Sequence, residues 1–340
     1  MYKKIVLYIA FFRDRVYYHK RTKKGDFLMN EKSLYGHRIY SILFALVVCF
    51  FWGSLYPCIS MGDELFGYDA KHIPSVMLFA GLRFLICGII MVAGVSVHDK
   101  KVKLPDKTNI LPILAVAFTT IVIHYSFQYM GVSLIEVNAS SKSAILKQIG
   151  YLFISCFAFL FVKEDKFSVR KVIGGTLGFC GIIVVNLDGL KFSLGIGEVC
   201  IICASVLSVA GTVISKHVYK KLDTSYVVAY SQLIGGIIMT AAGLALGGTL
   251  LTFTPKAMML LAYMCFASIT AYLLWGKLIK YNEVSKMSIL KYFEPVFGVF
   301  ISGVVLKTDS IYKLEYLFAL LIILAAVLVA NLDVKKKKAK

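Results

Sequence analysis

The sequence predicts an all-α polytopic membrane protein of ten transmembrane helices, arranged as two inverted five-helix repeats. Three observations carry this. The 340 residues are 59% hydrophobic and 17% charged, against roughly 45–50% and about 25% in soluble domains; lipid can absorb that apolar surplus and one protein core cannot. Apolar stretches of membrane-crossing length are separated by loops that alternate between rich and poor in Lys and Arg. The second half of the chain also repeats motifs of the first at near-constant spacing.

The N-terminal segment, residues 1–38, is basic, with Lys3, Lys4, Arg13, Arg15, Lys20, Arg21, Lys23, Lys24, Lys32 and Arg38. Its apolar run over 5–12 is too short to span and lacks a small-residue cleavage site, so it does not read as a signal peptide. It is expected to be a cytoplasmic extension resting on anionic lipid, with Met29 as an alternative start. The predicted spans follow at 39–60, 73–97, 109–131, 137–162, 169–187, 197–216, 224–248, 257–279, 285–306 and 315–333.

Charge orients these spans. With the N-terminus inside, the inner loops hold Lys100, Lys101, Lys103 and Lys107, then Lys163, Lys166, Arg170 and Lys171. Next come Lys216, Lys220 and Lys221, then Lys277, Lys280 and Lys286, and last the tail 334–340 with Lys335, Lys336, Lys337, Lys338 and Lys340. The outer loops hold only Lys71, Lys191, Lys256, Lys307 and Lys313. This alternation predicts a multi-pass protein of the cell (inner) membrane with both termini cytoplasmic. It also explains the net charge of +19 without nucleic acid, since the cations form no patch on a folded domain.

The repeat is visible in three places. Leu85-Ile86-Cys87-Gly88-Ile89-Ile90-Met91-Val92-Ala93 recurs as Leu233-Ile234-Gly235-Gly236-Ile237-Ile238-Met239-Thr240-Ala241, and Asn138-Ala139-Ser140-Ser141-Lys142-Ser143-Ala144-Ile145-Leu146-Lys147 as Asn282-Glu283-Val284-Ser285-Lys286-Met287-Ser288-Ile289-Leu290-Lys291. Asn186-Leu187-Asp188 matches Asn331-Leu332-Asp333, again about 144–148 residues on. The units are residues 39–188 and 189–333. Five spans per unit is an odd number, so the second unit enters the membrane from the opposite side. Such folds place their binding site near the midplane between the halves and work by alternating access.

Phe51-Trp52-Gly53-Ser54, Leu82-Arg83-Phe84, Glu164, Gly197-Glu198 and Glu294-Pro295-Val296 occur in an order along the chain that resembles the drug/metabolite transporter superfamily, in particular its ten-helix EamA-type permeases. The resemblance covers about residues 40–333 and implies a secondary transporter. Two positions depart from the family pattern: Gln148-Ile149-Gly150-Tyr151 stands where a proline is usual, and the acid after the ninth span is displaced to Asp309.

Ionisable residues inside a bilayer are functional candidates, since each costs several kcal/mol unless paired or wetted. Lys147 and Lys291 occupy matching places in the two repeats, roughly 12–15 Å into their spans at 1.5 Å per residue. Two ammonium groups on one cavity favour a carboxylate or phosphate. The other reading is structural: Glu294 stands three residues after Lys291 and within reach of pairing with either lysine. Arg83 is expected to be a structural charge. His124, with Gln128 one turn on, is a candidate proton relay or a hydrogen-bonded packing histidine, and Glu294 is a second candidate for proton coupling. Trp52, Tyr56, Tyr272 and Trp275 are candidate cavity walls or interface aromatics. The glycines Gly174, Gly178, Gly181, Gly243 and Gly247 are expected to pack helices closely.

The eight cysteines all lie in apolar stretches and form no metal or disulfide framework. No phosphate loop, nucleophile elbow or histidine pair is present, so neither an enzyme activity, a cofactor nor a metal is expected. The function expected is export or exchange of a small metabolite, such as an amino acid or other carboxylated or anionic compound. The alternatives are a multidrug exporter and a lipid-handling or envelope-assembly helper, which would need a groove open to lipid. The partners expected are the small-molecule substrate and the bilayer, and a homodimer is compatible with the sequence.

Overall fold

The computed structural model describes residues 31–135, 139–185, 195–305 and 314–331. The basic N-terminal stretch with Met29, Asn138, Asn186 to Asp188, Asp309 and the basic tail lie outside the described residues. A short α1 (Glu31–Tyr35) precedes α2 (Arg38–Phe66), α3 (Ile73–Asp99), α4 (Ile110–Leu134), α5 (Ala139–Phe161) and α6 (Val169–Val185). Then come α7 (Ile196–Lys221), α8 (Thr224–Ala245), α9 (Pro255–Tyr281), α10 (Val284–Leu290), α11 (Phe293–Val305) and α12 (Leu314–Asn331). No strand occurs among the described residues.

Among the described residues, seven spans are long and apolar enough to cross a bilayer: α2, α3, α4, α7, α8, α9, and α10 with α11 together. Shorter apolar helical segments occupy Leu146–Phe161 and Leu320–Ala330. The protein is therefore a multi-pass membrane protein. Its outer surface fits lipid, with Leu43, Val47, Phe50, Ile89, Ile90, Phe153, Phe157 and Leu160 exposed, while Arg83, His124, Gln148, Lys291 and Glu294 are buried. A soluble fold places such groups the other way round.

The helices pair as α3 with α8, α6 with α12, α4 with α7, α2 with α9, α5 with α7, and α2 with α11. Glycines set the closest approaches. A Cβ on Gly88 would fall 2.3 Å from Leu233 Cα, and one on Gly236 would fall 2.2 Å from Leu85 N. Leu85 and Gly88 match Leu233 and Gly236 in the recurring sequence motif, so the two contacts are reciprocal. Gly174 and Gly243 likewise abut α12 and α3, while Gly178 abuts the Tyr292 ring. Gly247 differs from expectation: it lies beyond the end of α8, at φ +83° and touching nothing within 4 Å, and serves the left-handed turn there.

Two spans depart from regular helix beside the interior. In α4, residues Phe118–Val122 form a π-helical turn, a local widening common at functional sites. The hydroxyls of Thr119 and Thr120 donate to Ala115 O (2.6 Å) and Val116 O (2.7 Å) there, competing with the backbone ladder. The ninth predicted span breaks between α10 and α11. Pro295 has no N–H to offer the preceding turn, so Glu294 N bonds Lys291 O at 3.0 Å. The Leu290 carbonyl takes the Cys49 thiol instead, at 3.3 Å.

Polar contacts anchor the ends near this break. Asp165, between α5 and α6, accepts from the first two amides of α10, Val284 N at 2.7 Å and Ser285 N at 3.3 Å. A remote carboxylate thus does the work of an N-cap. Lys171 pairs with Asp165 at 3.3 Å and also with Glu283. Buried Lys216 donates to Ile279 O (2.8 Å) and Asn282 O (2.6 Å), satisfying the last carbonyls of α9.

Candidate functional site

All ten residues singled out from the sequence line one cavity. Trp52 and Tyr56 come from α2, Arg83 from α3, His124 and Gln128 from α4, Lys147 from α5, Tyr272 and Trp275 from α9, and Lys291 and Glu294 flank the break before α11. The cavity holds about 90 Å³, roughly the liquid volume of three waters. Both proposed repeats supply its walls.

Glu294 is the hub. It is 3% exposed and accepts from Lys147 Nζ at 3.1 Å, from Tyr56 OH at 3.4 Å, and from Lys291 Nζ across the helix break. The Lys291 ammonium also sits over the Trp52 ring, 3.3 Å from its centroid, with Trp275 at 5.2 Å and Tyr151 at 5.5 Å. A cation is attracted to the faces of such rings. Of the two readings of the lysines, the geometry has the pairing with Glu294: both are neutralised in part by one carboxylate, leaving one net positive charge on the three-charge cluster.

The close approach behind this cluster depends on Gly53. A Cβ there would fall 2.8 Å from Glu294 O and 2.9 Å from Gly298 N, so glycine lets α2 lie directly against the start of α11 and brings Trp52 to Lys291. On the other side, Ser205 of α7 donates to Lys147 O (2.7 Å) and accepts from Gly150 N (2.8 Å). Gly150 lies within the segment where the family proline is missing, and any side chain there would meet Ser205.

His124 Nδ1 lies 2.8 Å from the Ala204 carbonyl. An acceptor at that nitrogen places a proton on Nδ1, which agrees with the packing reading while leaving the ring on the cavity wall. Tyr125 and Tyr272 share a hydroxyl contact of 3.2 Å. Arg83 is 1% exposed, with its guanidinium 4.6 Å from the Phe84 ring and 5.8 Å from the Tyr125 ring. Its Nε and Nη1, the Trp52 Nε1 and the Gln128 Oε1 make no hydrogen bond. Among the described residues no group of His, Cys, Asp and Glu could hold a metal ion.

The structure adds walls not singled out from the sequence. Tyr125 and Tyr151 stand beside His124 and one turn past Lys147, and Ser208, Thr212 and Ser215 form a stripe on α7. The stripe was visible as three small polar residues at helical spacing in an otherwise apolar span. The two tyrosines had no signal separating them from packing aromatics.

Membrane-crossing helices around a buried, charged cavity define a polytopic transport protein. The chain belongs to the EamA-like transporter family, whose model matches residues 39–187 and 195–331, within the drug/metabolite transporter superfamily. It is 26% identical to the uncharacterized transporter YvbV of Bacillus subtilis, over 77% of this chain and 85% of that protein. It is 28% identical to the uncharacterized inner membrane transporter YedA of Escherichia coli, over 86% and 90%. A probable amino-acid metabolite efflux pump of E. coli is 25% identical over 82% and 90%. A solved crystal structure aligns with a TM-score of 0.69 and 16% identity, covering 86% of this chain and 98% of that one, a likeness of fold alone.

Proposed function

We propose that this protein is a secondary carrier of the inner membrane that exports or exchanges a small carboxylated metabolite by alternating access around the central cavity. The carrying observation is that cavity: it is buried, charged, and walled by helices from both halves of the chain. Ten spans in two inverted repeats, residues 39–188 and 189–333 with both termini cytoplasmic, are part of the reading. The helix pairing supports it. Exchanging each helix of the first half for its counterpart in the second turns α4–α7 into α9–α2 and α5–α7 into the α2 contact with α11, and returns α3–α8 and α6–α12 to themselves. The reciprocal contacts of Gly88 with Leu233 and Gly236 with Leu85 are what a two-fold axis between the halves requires.

The substrate class draws on the net positive charge of the cavity and on the similarity to a probable amino-acid metabolite efflux pump. A cavity of about 90 Å³ favours small metabolites over drug-sized ligands, whose pockets run to roughly 300–1,000 Å³. Counterflow in proteoliposomes tests the reading. Purified protein should exchange at least one labelled amino acid or organic acid saturably, and the exchange should disappear in a folded Glu294→Gln variant. Absence of exchange for amino acids, organic acids and phosphate esters alike would overturn it and favour a lipid-handling role.

A further inference from the structure

The cavity contains a third cation whose chemistry the lysine cluster does not explain. Arg83 sits on α3, is 1% exposed and lines the cavity, yet Nε and Nη1 have no hydrogen-bond partner. Among the described residues no carboxylate forms an ion pair with it; Glu294, the acid of this cavity, is engaged by Lys147, Lys291 and Tyr56. Its surroundings are the Phe84 and Tyr125 rings and the side chain of Tyr129, which hydrogen-bonds the guanidinium and leaves Nε and Nη1 open. A guanidinium stays charged at any physiological pH and presents its N–H groups as a planar fork matched to a carboxylate. Buried and unpaired, it is costly, so an acceptor that arrives from outside is strongly favoured. On the α4 wall, Gln128 Oε1 is a buried acceptor that also lacks a donor.

We infer that Arg83, and not the lysine pair, is the anion subsite of the cavity. One of its free N–H groups takes a carboxylate oxygen of the substrate, while Gln128 Oε1 takes an ammonium or hydroxyl donor on the same molecule. The substrate class is then a small amino acid or hydroxy acid, and Lys147 and Lys291 serve to hold Glu294. A donor group on the ligand matches Gln128 Oε1 in the orientation the side chain has here. This assignment rests on the carrier reading above and deepens it by naming the residue that meets the anionic end.

The test uses the full chain in proteoliposomes, with counterflow of a labelled mixture of the standard amino acids and of labelled lactate. For the compound exchanged, competition by the free acid is compared with competition by its carboxamide and by inorganic phosphate. Wild-type protein should prefer the acid over the carboxamide by about tenfold to a hundredfold, the loss expected when a charge-assisted hydrogen-bond pair is left unmade. Arg83→Gln should lose exchange by a similar factor, and Arg83→Lys should keep part of it. Equal competition by acid and carboxamide, stronger competition by phosphate, or wild-type exchange in monodisperse Arg83→Gln would overturn the assignment and leave the carrier reading standing. Failure of folded wild-type protein to exchange anything would remove both. Should Arg83→Gln not fold, Arg83→Lys decides: an acid preference as large as in wild type would overturn the assignment, and a reduced one upholds it.

Discussion

Lys147 on α5 and Glu294 at the start of α11 meet at 3.1 Å across the cavity, 147 positions apart in the chain. The same carboxylate holds Lys291, which stands 144 positions after Lys147 in the recurring sequence motif. One acid therefore ties these two lysines to one point.

That arrangement makes Glu294 more important to stability than either lysine. Removing it leaves two buried ammonium groups uncompensated, at a cost of about 3–5 kcal/mol. Removing Lys147 leaves Glu294 its bond to Lys291. Thermal unfolding in detergent should therefore rank Glu294→Gln well below Lys147→Met, and the reverse order would refute the bridging role.

The chain contains two tryptophans, Trp52 and Trp275, and both line the cavity with ring centroids 5.8 Å apart. Intrinsic emission is thus a direct report of cavity occupancy. A transported compound should change it saturably, with a midpoint matching its half-saturation in exchange. Trp52→Leu should abolish most of the signal and weaken the seat of Lys291 by roughly 0.5–2 kcal/mol.

Gly88 and Gly94 separate packing from helix propensity. Both lie on α3, but a Cβ at Gly88 would collide with Leu233, while one at Gly94 meets nothing within 4 Å. Gly88→Ala should destabilise by about 1–3 kcal/mol through overpacking. Gly94→Ala should be neutral or stabilising by up to about 1 kcal/mol. Size-exclusion profiles after a heating series would read both.

Asp165→Ala should loosen the start of α10. It removes the acceptor for Val284 N and Ser285 N and one of the acids holding Lys171. The expected loss is about 1–3 kcal/mol, seen as faster amide exchange over residues 284–290. Unchanged exchange there would show that the cap is dispensable.

Glu164 gives a pH-dependent contribution outside the spans. Its hydrogen bond from Lys220, at 2.5 Å, lowers its carboxyl below the usual range. A lowered folded value means the stabilisation is present above the ordinary value of 4.5 and is lost as pH falls through the lowered one. The side chain is 54% exposed, so the pair is worth less than about 1 kcal/mol and is screened by salt. Glu164→Gln should match wild-type stability in strong acid or high salt and fall slightly below it at neutral pH.

Much of this was written in composition and pattern. The apolar surplus requires lipid whatever the fold, because no core of this size could bury it. The buried charges were identifiable because ionisable groups do not persist in apolar spans without a reason, and all ten singled-out residues line one cavity. Less legible were the helix break after Lys291, where Pro295 offers no N–H and the Cys49 thiol takes the Leu290 carbonyl, and the docking of Glu31 from α1 onto Lys277 and Tyr281 at 3.1 and 3.0 Å. Gly247 looked like part of a packing face and proved to be a turn.

What the sequence by itself determined is a membrane-embedded helical chain with cations at matching positions of two related segments. Periodicity and hydropathy act along the chain, so they state which residues share a helix face. Which partner each charge takes was decided only by tertiary structure. Glu294 could have served Lys291 alone, and Arg83 could have found an acid. The glycine contacts at Gly53, Gly88 and Gly236 set how closely the helices approach, and a difference of a few ångströms decides whether a buried cation meets a carboxylate, as Lys147 does, or keeps donors without a partner, as Arg83 does.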